Sequence, residues 1–226
     1  MDSELLERLK QWNIASALPP SVGDFILQAE KHVVMDGAAE KGLTLFTYAN
    51  GSNHWSVWGF FDYDTEEFSV RVNIGMLEFS LIEFITGDLE QFELLVKERL
   101  PNLVESHYVD RSKDFSVILK DKGVPEMEWQ PLLPPEYKGF RCQITPSTAV
   151  RIINGSYMIV SYYKEDVQSG LSIMYNLLRD DFFAERRIHN FPNLVHDFDS
   201  HTVKELTDAL KSRLTAVLDE LAADSQ

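Results

Sequence analysis

The sequence predicts an α+β protein built from two similar units, each a mainly antiparallel curved sheet backed by a C-terminal helix. Strand-like segments precede a helical apolar stripe, and this order of elements occurs twice. The motif "LPPSVGDF" at 18–25 also returns as "LPPEYKGF" at 133–140, ahead of each set of strands. Runs of strands followed by a helix are typical of the α+β class.

The predicted organisation has four parts. They are an N-terminal helix at 1–17, a first sheet-plus-helix unit at 18–104, a connection at 105–131 and a second unit at 132–226.

In the first unit, alternating apolar and polar residues predict strands after residue 42. The preceding stretch, 21–42, fits either a helix or two short strands. The predicted strands are 43–49, 54–64, 67–74 and 76–85.

Two helices frame these strands. Leu5, Leu6, Leu9 and Trp12 recur at helical spacing near the N-terminus. After the strands, the apolar stripe of a second helix comprises Leu89, Phe92, Val96, Leu100 and Leu103. Asp88 and Gln91 fit a capping box that opens it, and Pro101 is expected to end or kink it.

The second unit repeats this order. The connection contains a possible strand at 115–119, and 181–188 fits either a strand or a helix. The predicted strands are 140–144, 149–153, 157–163 and 170–178. The final helix, at about 202–222, opens with Thr202 and Glu205 as a capping box. Its apolar stripe comprises Val203, Leu206, Leu210, Leu214, Val217 and Leu221.

A shift of 114 residues tests whether the units are duplicates, because it aligns 43–104 with 157–218 without a gap. Only 7 of 62 pairs are identical, but 22 positions are apolar in both segments. Chance would give roughly 14 such coincidences. Two shorter repeats, "PNLV" and "NGS", imply other registers, at offsets of 91 and 104. The alternative is that two unrelated stretches share strand and helix periodicity.

The composition excludes some function classes. There are 36 acidic residues against 21 Lys plus Arg, which gives a net charge of −15. Binding to a phosphate backbone needs clustered cations, so nucleic acid is not an expected partner. A protein with a basic surface is the partner that this charge favours.

The N-terminal sequence lacks the apolar core of a signal peptide, and no stretch approaches the roughly 20 apolar residues that cross a bilayer. We therefore expect a cytoplasmic chain without a membrane partner. The single cysteine, Cys142, excludes an intramolecular disulfide and is expected to be a buried strand residue. Phosphate-binding glycine motifs and a nucleophile elbow are also missing from the sequence, so no cofactor is predicted.

Two groups of residues are candidates for a site. The first is the segment 186–201, which holds His189, His196 and His201 together with two aspartates. Imidazole and carboxylate are ligands for zinc or iron, but the spacing matches no metal motif. We therefore predict no metal there, and interpret the segment as a polar loop that leads into the last helix.

The second group is aromatic: Trp55, Trp58, Phe60 and Phe61 lie on one predicted strand, so both faces of that strand carry large side chains. One face must meet the core, and we expect either the second unit or a partner to cover the other. We predict a non-enzymatic protein-binding module of adaptor, chaperone or immunity type that uses a sheet face or a cleft between the units. The alternative is a small-ligand or metal-dependent enzymatic site in that cleft.

Overall fold

The fold is described by a computed structural model that covers residues 3–114, 116–153 and 155–225. The chain divides between Val109 and Asp110 into two units, here called unit 1 and unit 2. Within the described residues each unit holds one seven-stranded antiparallel sheet and helices. The predicted α+β class with antiparallel sheets is confirmed.

Unit 1 begins with a helix and ends with the helix that covers its sheet. Its elements are α1 (Ser3–Gln11), β1 (Ser21–Val22), β2 (Phe25–Gln28), β3 (His32–Asp36), β4 (Ala39–Asn50), β5 (Ser56–Asp62), β6 (Glu67–Asn73), β7 (Glu78–Thr86) and α2 (Leu89–Val104). The strand order is β1-β2-β4-β5-β6-β7, and β3 pairs with β4 beside β2. The ambiguous stretch 21–42 is therefore strand rather than helix.

Helix α2 begins at the predicted cap residue but lacks the predicted capping box, because the Asp88 amide donates to the Thr86 hydroxyl and the Gln91 side chain accepts from that same hydroxyl. The Asp88 carboxylate accepts a hydrogen bond from the Gln91 amide at 2.7 Å, which caps the first turn. Pro101 lies inside α2, so the expectation that it ends the helix was wrong, and a kink at this residue stays a prediction. The buried side chains of Leu100 and Val104, on either side of the proline, hold the last turn against the core.

The core of unit 1 lies between α2 and one face of the sheet. The Phe68 ring stacks on Phe92 of α2 at 5.1 Å and lies 4.7 Å from the Phe61 ring on β5. All three side chains are buried. Close aromatic pairs of this kind add to the stabilisation that burial of their apolar surface provides.

Unit 2 repeats the same order after a short helix. Its elements are α3 (Val117–Asp121), β8 (Glu136–Tyr137), β9 (Phe140–Ile144), β10 (Val150–Ile152), β11 (Ser156–Lys164), β12 (Ser169–Asn176), β13 (Asp181–Ile188), β14 (Phe191–Ser200) and α4 (Val203–Asp224). The strand order is β14-β13-β12-β11-β9-β8, and β10 pairs with β11. The undecided segment 181–188 is a strand.

The strand expected at 115–119 is wrong, because the chain forms α3 from Val117 onward. The Ser116 hydroxyl accepts a hydrogen bond from the Leu119 amide at 3.1 Å and so caps a helix. The cap gives the Leu119 amide a hydrogen-bond partner at the start of the helix. This stabilisation outweighs the strand preference of the β-branched residues Val117 and Ile118. Phe115 lies outside the described residues.

The two sheets share irregularities that are 114 residues apart. A register shift at 44–46 between β4 and β5 matches one at 158–160 between β11 and β12. Glu66 and Asp180 both have a φ of 55°, in the left-handed region. The rival "PNLV" repeat instead aligns α2 with β14, a helix with a strand.

The repeated "LPP" motif makes the same hydrogen bond in both units. The Tyr48 hydroxyl donates to the Pro19 carbonyl at 2.7 Å, and the Tyr162 hydroxyl donates to the Pro134 carbonyl at 2.7 Å. Both tyrosines are 0% exposed. Buried polar groups of this kind need a partner, so the hydroxyl fixes the entry of the chain into each sheet.

The first prediction concerns these two bonds. We expect Tyr48→Phe and Tyr162→Phe each to lower the free energy of unfolding by about 1 kcal/mol, because each leaves a proline carbonyl without its donor. Urea unfolding of the full chain, followed by circular dichroism, measures this. Tyr163→Phe is the control, since Tyr163 is nearly buried and its hydroxyl has no hydrogen bond to a described residue. Equal losses in all three variants would contradict the assigned role.

The second prediction is a loss of stability at alkaline pH. Burial raises the pKa of Tyr48 from about 10 to about 12. Because the folded-state pKa is the higher one, the contribution of the neutral phenol is complete below pH 10 and is lost as the pH rises toward 12. We expect Tyr48→Phe to lose less stability than the parent chain between pH 10 and 12 in parallel unfolding experiments. An unchanged pH dependence would show that Tyr48 is not responsible.

Candidate functional site

The aromatic candidates differ in how much of each reaches solvent. Trp55 is 1% exposed and Phe60 is 2% exposed, whereas Trp58 is partly exposed. The Arg71 guanidinium carbon lies 3.9 Å from the centroid of the Phe60 ring and covers it. Of these three aromatic residues, only Trp58 is accessible to a molecule in solution.

The segment expected to be a polar loop at 189–201 is mostly strand β14, so that expectation was wrong. Pairing with β13 holds it: Glu185 lies opposite Leu194, and Ala184 lies opposite Val195. Proline and asparagine obscured the strand in the sequence, but proline is tolerated on an edge strand. The prediction failed because the sequence alone does not show that β14 is an edge strand.

The three histidines have different surroundings. His189 Nδ1 lies 3.1 Å from the Val167 carbonyl oxygen, and His201 Nδ1 lies 3.5 Å from the Asp180 carbonyl oxygen. His196 is largely exposed, and its Nδ1 lies 2.7 Å from a carboxylate oxygen of Asp199. Among the described residues no three His, Cys, Asp or Glu side chains converge on a point that would hold a metal ion.

A wide bulge shapes the part of β14 that carries His196 and Asp199. Ala184 pairs with Val195, and Phe182 pairs with Ser200, so the single residue Phe183 faces the four residues 196–199. Among the four, Phe198 is 0% exposed and packs into the core. Its burial fixes the bulge and leaves His196 and Asp199 on the outside.

A cavity of about 570 Å³ lies against this bulge. It is bounded by β12, β13, β14 and the first turn of α4. Its lining residues are Asn176, Arg179, Asp181, Phe182, Phe183, Ala184, Leu194, His196, Asp199, Ser200, His201 and Glu205. The lining combines apolar side chains with ionisable ones, as ligand sites commonly do.

The charged groups of the cavity are already partly paired. Arg179 Nε lies 3.2 Å from the Asp181 carboxylate, and its guanidinium carbon lies 4.9 Å from the Phe183 ring centroid. The Glu205 carboxylate accepts hydrogen bonds from the His201 amide at 2.9 Å and the Thr202 amide at 3.1 Å. These bonds lower the pKa of Glu205, the largest cause being the one from His201.

Unit 1 has the same bulge with different residue types. Val70 pairs with Leu81, and Phe68 pairs with Thr86, so Ser69 faces the four residues 82–85. Phe84 is 0% exposed, as Phe198 is, but Ile82 and Ile85 are exposed at 67% and 43%. This backbone geometry therefore forms without histidine or aspartate.

A second surface feature was not foreseen from the sequence. Strand β3 pairs only with β4 in the described part of the chain, so its outer edge is open. Val33 and Met35 on β3 are 42% and 52% exposed, and Ile26 on β2 is 54% exposed. Hereafter "the β3 edge" means residues 32–36. The glycine that follows "HVVMD" is the signal that favours a hairpin, since Asp36 pairs with Ala39 and Gly37, with a φ of 60°, is the first residue of the two-residue turn between them.

No protein-family model, curated protein or solved structure matches this chain. Within the described residues no helix combines the length and apolarity that a bilayer crossing requires.

The third prediction concerns metal binding at the histidines. Because the described side chains do not gather three ligands, we expect less than stoichiometric zinc or iron in the purified chain, and only weak zinc binding on titration. Elemental analysis and zinc titration with a competing chelator measure this. Stoichiometric metal that is lost in the double variant His196→Ala, His201→Ala would contradict the expectation.

Proposed function

We propose that the chain is an internal duplication of one sheet-plus-helix unit. The matched bulges, the matched left-handed residues and the two tyrosine-to-proline hydrogen bonds support this, since each pair is separated by 114 or 115 residues. Bulges and left-handed residues support the duplication more strongly than strand periodicity does, because two unrelated sheets would have no reason to carry them at the same spacing along the chain. A duplicated chain presents one scaffold twice and is free to diverge at its surfaces.

We infer that the protein is a non-enzymatic binding module, of adaptor, chaperone or immunity type, that takes an extended segment of a partner protein at the β3 edge. The observation that carries this is the open edge with exposed apolar side chains. Such an edge presents unpaired amide and carbonyl groups to which another strand adds, and proteins usually blunt it. We therefore place the proposed partner contact at Val33 and Met35 instead of at Trp55, Trp58 and Phe60.

The charge around the β3 edge indicates a basic partner. Glu30, Asp36 and Glu40 are exposed around it. Lys41 offsets this charge only in part, because its ammonium lies 2.9 Å from the Asp64 carboxylate as well as within electrostatic range of Asp36. Counting Asp64, four carboxylates around the edge still outnumber Lys31 and Lys41. With a net charge of −15 on the whole chain, a basic cytoplasmic protein is the occupant that electrostatics favours.

Unit 2 offers a comparison within the same chain. Its counterpart of β3 is β10, which has only three residues and whose first, Val150, is buried. A 3₁₀ turn at Pro146–Thr148 precedes it, and Pro146 is buried. A short edge strand is one of the ordinary ways in which proteins prevent edge pairing. The long, apolar edge is therefore a property of unit 1 alone and is not required by the shared fold.

The fourth prediction tests the β3 edge. We expect the double variant Val33→Lys, Met35→Lys to weaken binding of the partner about tenfold or more, because it removes apolar contacts and places cations against a basic segment. Partners captured by the parent chain are purified, and their affinity for each variant is measured by calorimetry. Hydrogen exchange of the complex should show new protection of amides in residues 32–36.

The matched control is Ile82→Lys, Ile85→Lys, which makes the same chemical change on the exposed bulge of β7 in unit 1. We expect this variant to bind the partner as the parent chain does. The affinity for the partner should also fall as the salt concentration rises, because salt screens the attraction between the acidic side chains around the β3 edge and a basic partner. Equal losses in both double variants, or protection confined to strands other than β3, would exclude the β3 edge as the binding site.

A further inference from the structure

The cavity at the β14 bulge is the second surface where the two units diverge. We propose that it is a binding site for an organic cation: an ammonium or guanidinium group carried on a short apolar stem. The site shares no residue with the β3 edge, since all its lining residues belong to unit 2. Its size, about 570 Å³, lies within the range of roughly 300 to 1,000 Å³ that small-ligand sites occupy.

The charge of the lining selects a cation. Three carboxylates, those of Asp181, Asp199 and Glu205, face one guanidinium, that of Arg179. Among the Asp, Glu and Arg side chains of the lining this leaves a formal excess of two negative charges. Each carboxylate has about four acceptor positions, and the contacts described above use only some of them. An ammonium group finds free acceptors there, whereas an anion meets repulsion.

Apolar side chains form the other wall and receive the stem. Leu194 is 69% exposed, although it lies on a strand and lines the cavity. Phe183 lies beside it on β13 and already carries the Arg179 guanidinium on its ring face. Aromatic faces attract cations, so the same wall suits a ligand that is apolar along its stem and positive at its end.

The bulge in unit 1 shows that these groups are not structural. By the 114-residue register, His196 corresponds to Ile82 and Asp199 corresponds to Ile85, while Phe198 and Phe84 fill the core in both. The fold is thus satisfied by isoleucine at both outer positions. A bulge of this shape therefore does not require the His–Asp pair, although the bond between His196 and Asp199 joins its two ends, and a role in ligand binding accounts for the pair.

Three probes of similar size and different charge test the proposal on the full chain. They are phenethylamine, its neutral analogue 2-phenylethanol, and phenylacetate. We expect phenethylamine to shift the NMR signals of the His196 and His201 rings saturably. The alcohol should bind at least about tenfold more weakly, and phenylacetate should not bind.

A fourth probe, N-acetyl-lysinamide, represents a cation presented by a protein. If it binds more tightly than phenethylamine, the natural source of the cation is a protein side chain. If phenethylamine binds more tightly, the source is a free amine.

Variants locate the binding. Asp199→Asn should lower the affinity for phenethylamine about tenfold, and Leu194→Ser should weaken the amine and the alcohol alike. Asp208→Asn, which makes the same charge change at an exposed position of α4 outside the cavity, is the control and should leave the affinity unchanged.

Thermal unfolding verifies that each variant is folded. The double variant Val33→Lys, Met35→Lys should bind phenethylamine as the parent chain does, whatever its effect at the β3 edge. Equal affinity for the three probes, no binding of the amine, or an equal loss in Asp208→Asn would overturn the proposal.

Discussion

The burial of one phenylalanine in the last strand of each sheet is the constraint on which much of the surface depends. Phe84 and Phe198 are both 0% exposed, yet both belong to four-residue stretches that face a single residue of the neighbouring strand. Burying a phenylalanine side chain contributes roughly 1.5 to 3 kcal/mol, which offsets the ladder hydrogen bonds that the bulge interrupts. The neighbours of each phenylalanine are thereby turned outward, and their identity is left open to function.

Much of the fold follows from patterns that the sequence displays. The alternation in β6 and the stripes of α2 and α4 come directly from burial of one face, and both helix caps lie where Asp88 and Thr202 predict them. These apolar patterns are reliable because an amphipathic helix or strand has only one way to bury its apolar side. The 114-residue register rests on the same kind of periodicity, and the duplication that it suggests stays a proposal.

The failures occur where tertiary position overrides local pattern. Residues 191–194 form a strand although they are exposed, because β13 supplies the partner and no sequence rule announces it. At 117–121 a serine cap outweighs the strand preference of valine and isoleucine. The aromatic pattern at 55–61 does not indicate which side chains reach solvent, because exposure depends on what packs against the strand: Trp55 and Phe60 are buried, and Trp58 is partly exposed. The cavity and the β3 edge depend on the same kind of long-range arrangement.

The proposed duplication makes these surface differences an argument about function. Two copies of one scaffold satisfy the same packing demands, so a feature present in both, such as the tyrosine-to-proline bond, is explained by folding. A feature present in only one is not explained in that way. Unit 1 keeps an open apolar strand where unit 2 has three residues, and unit 2 places a His–Asp pair where unit 1 has two isoleucines. Because exposed paired charges add little stability and open strand edges invite pairing, the presence of each feature in one unit supports the binding roles proposed above.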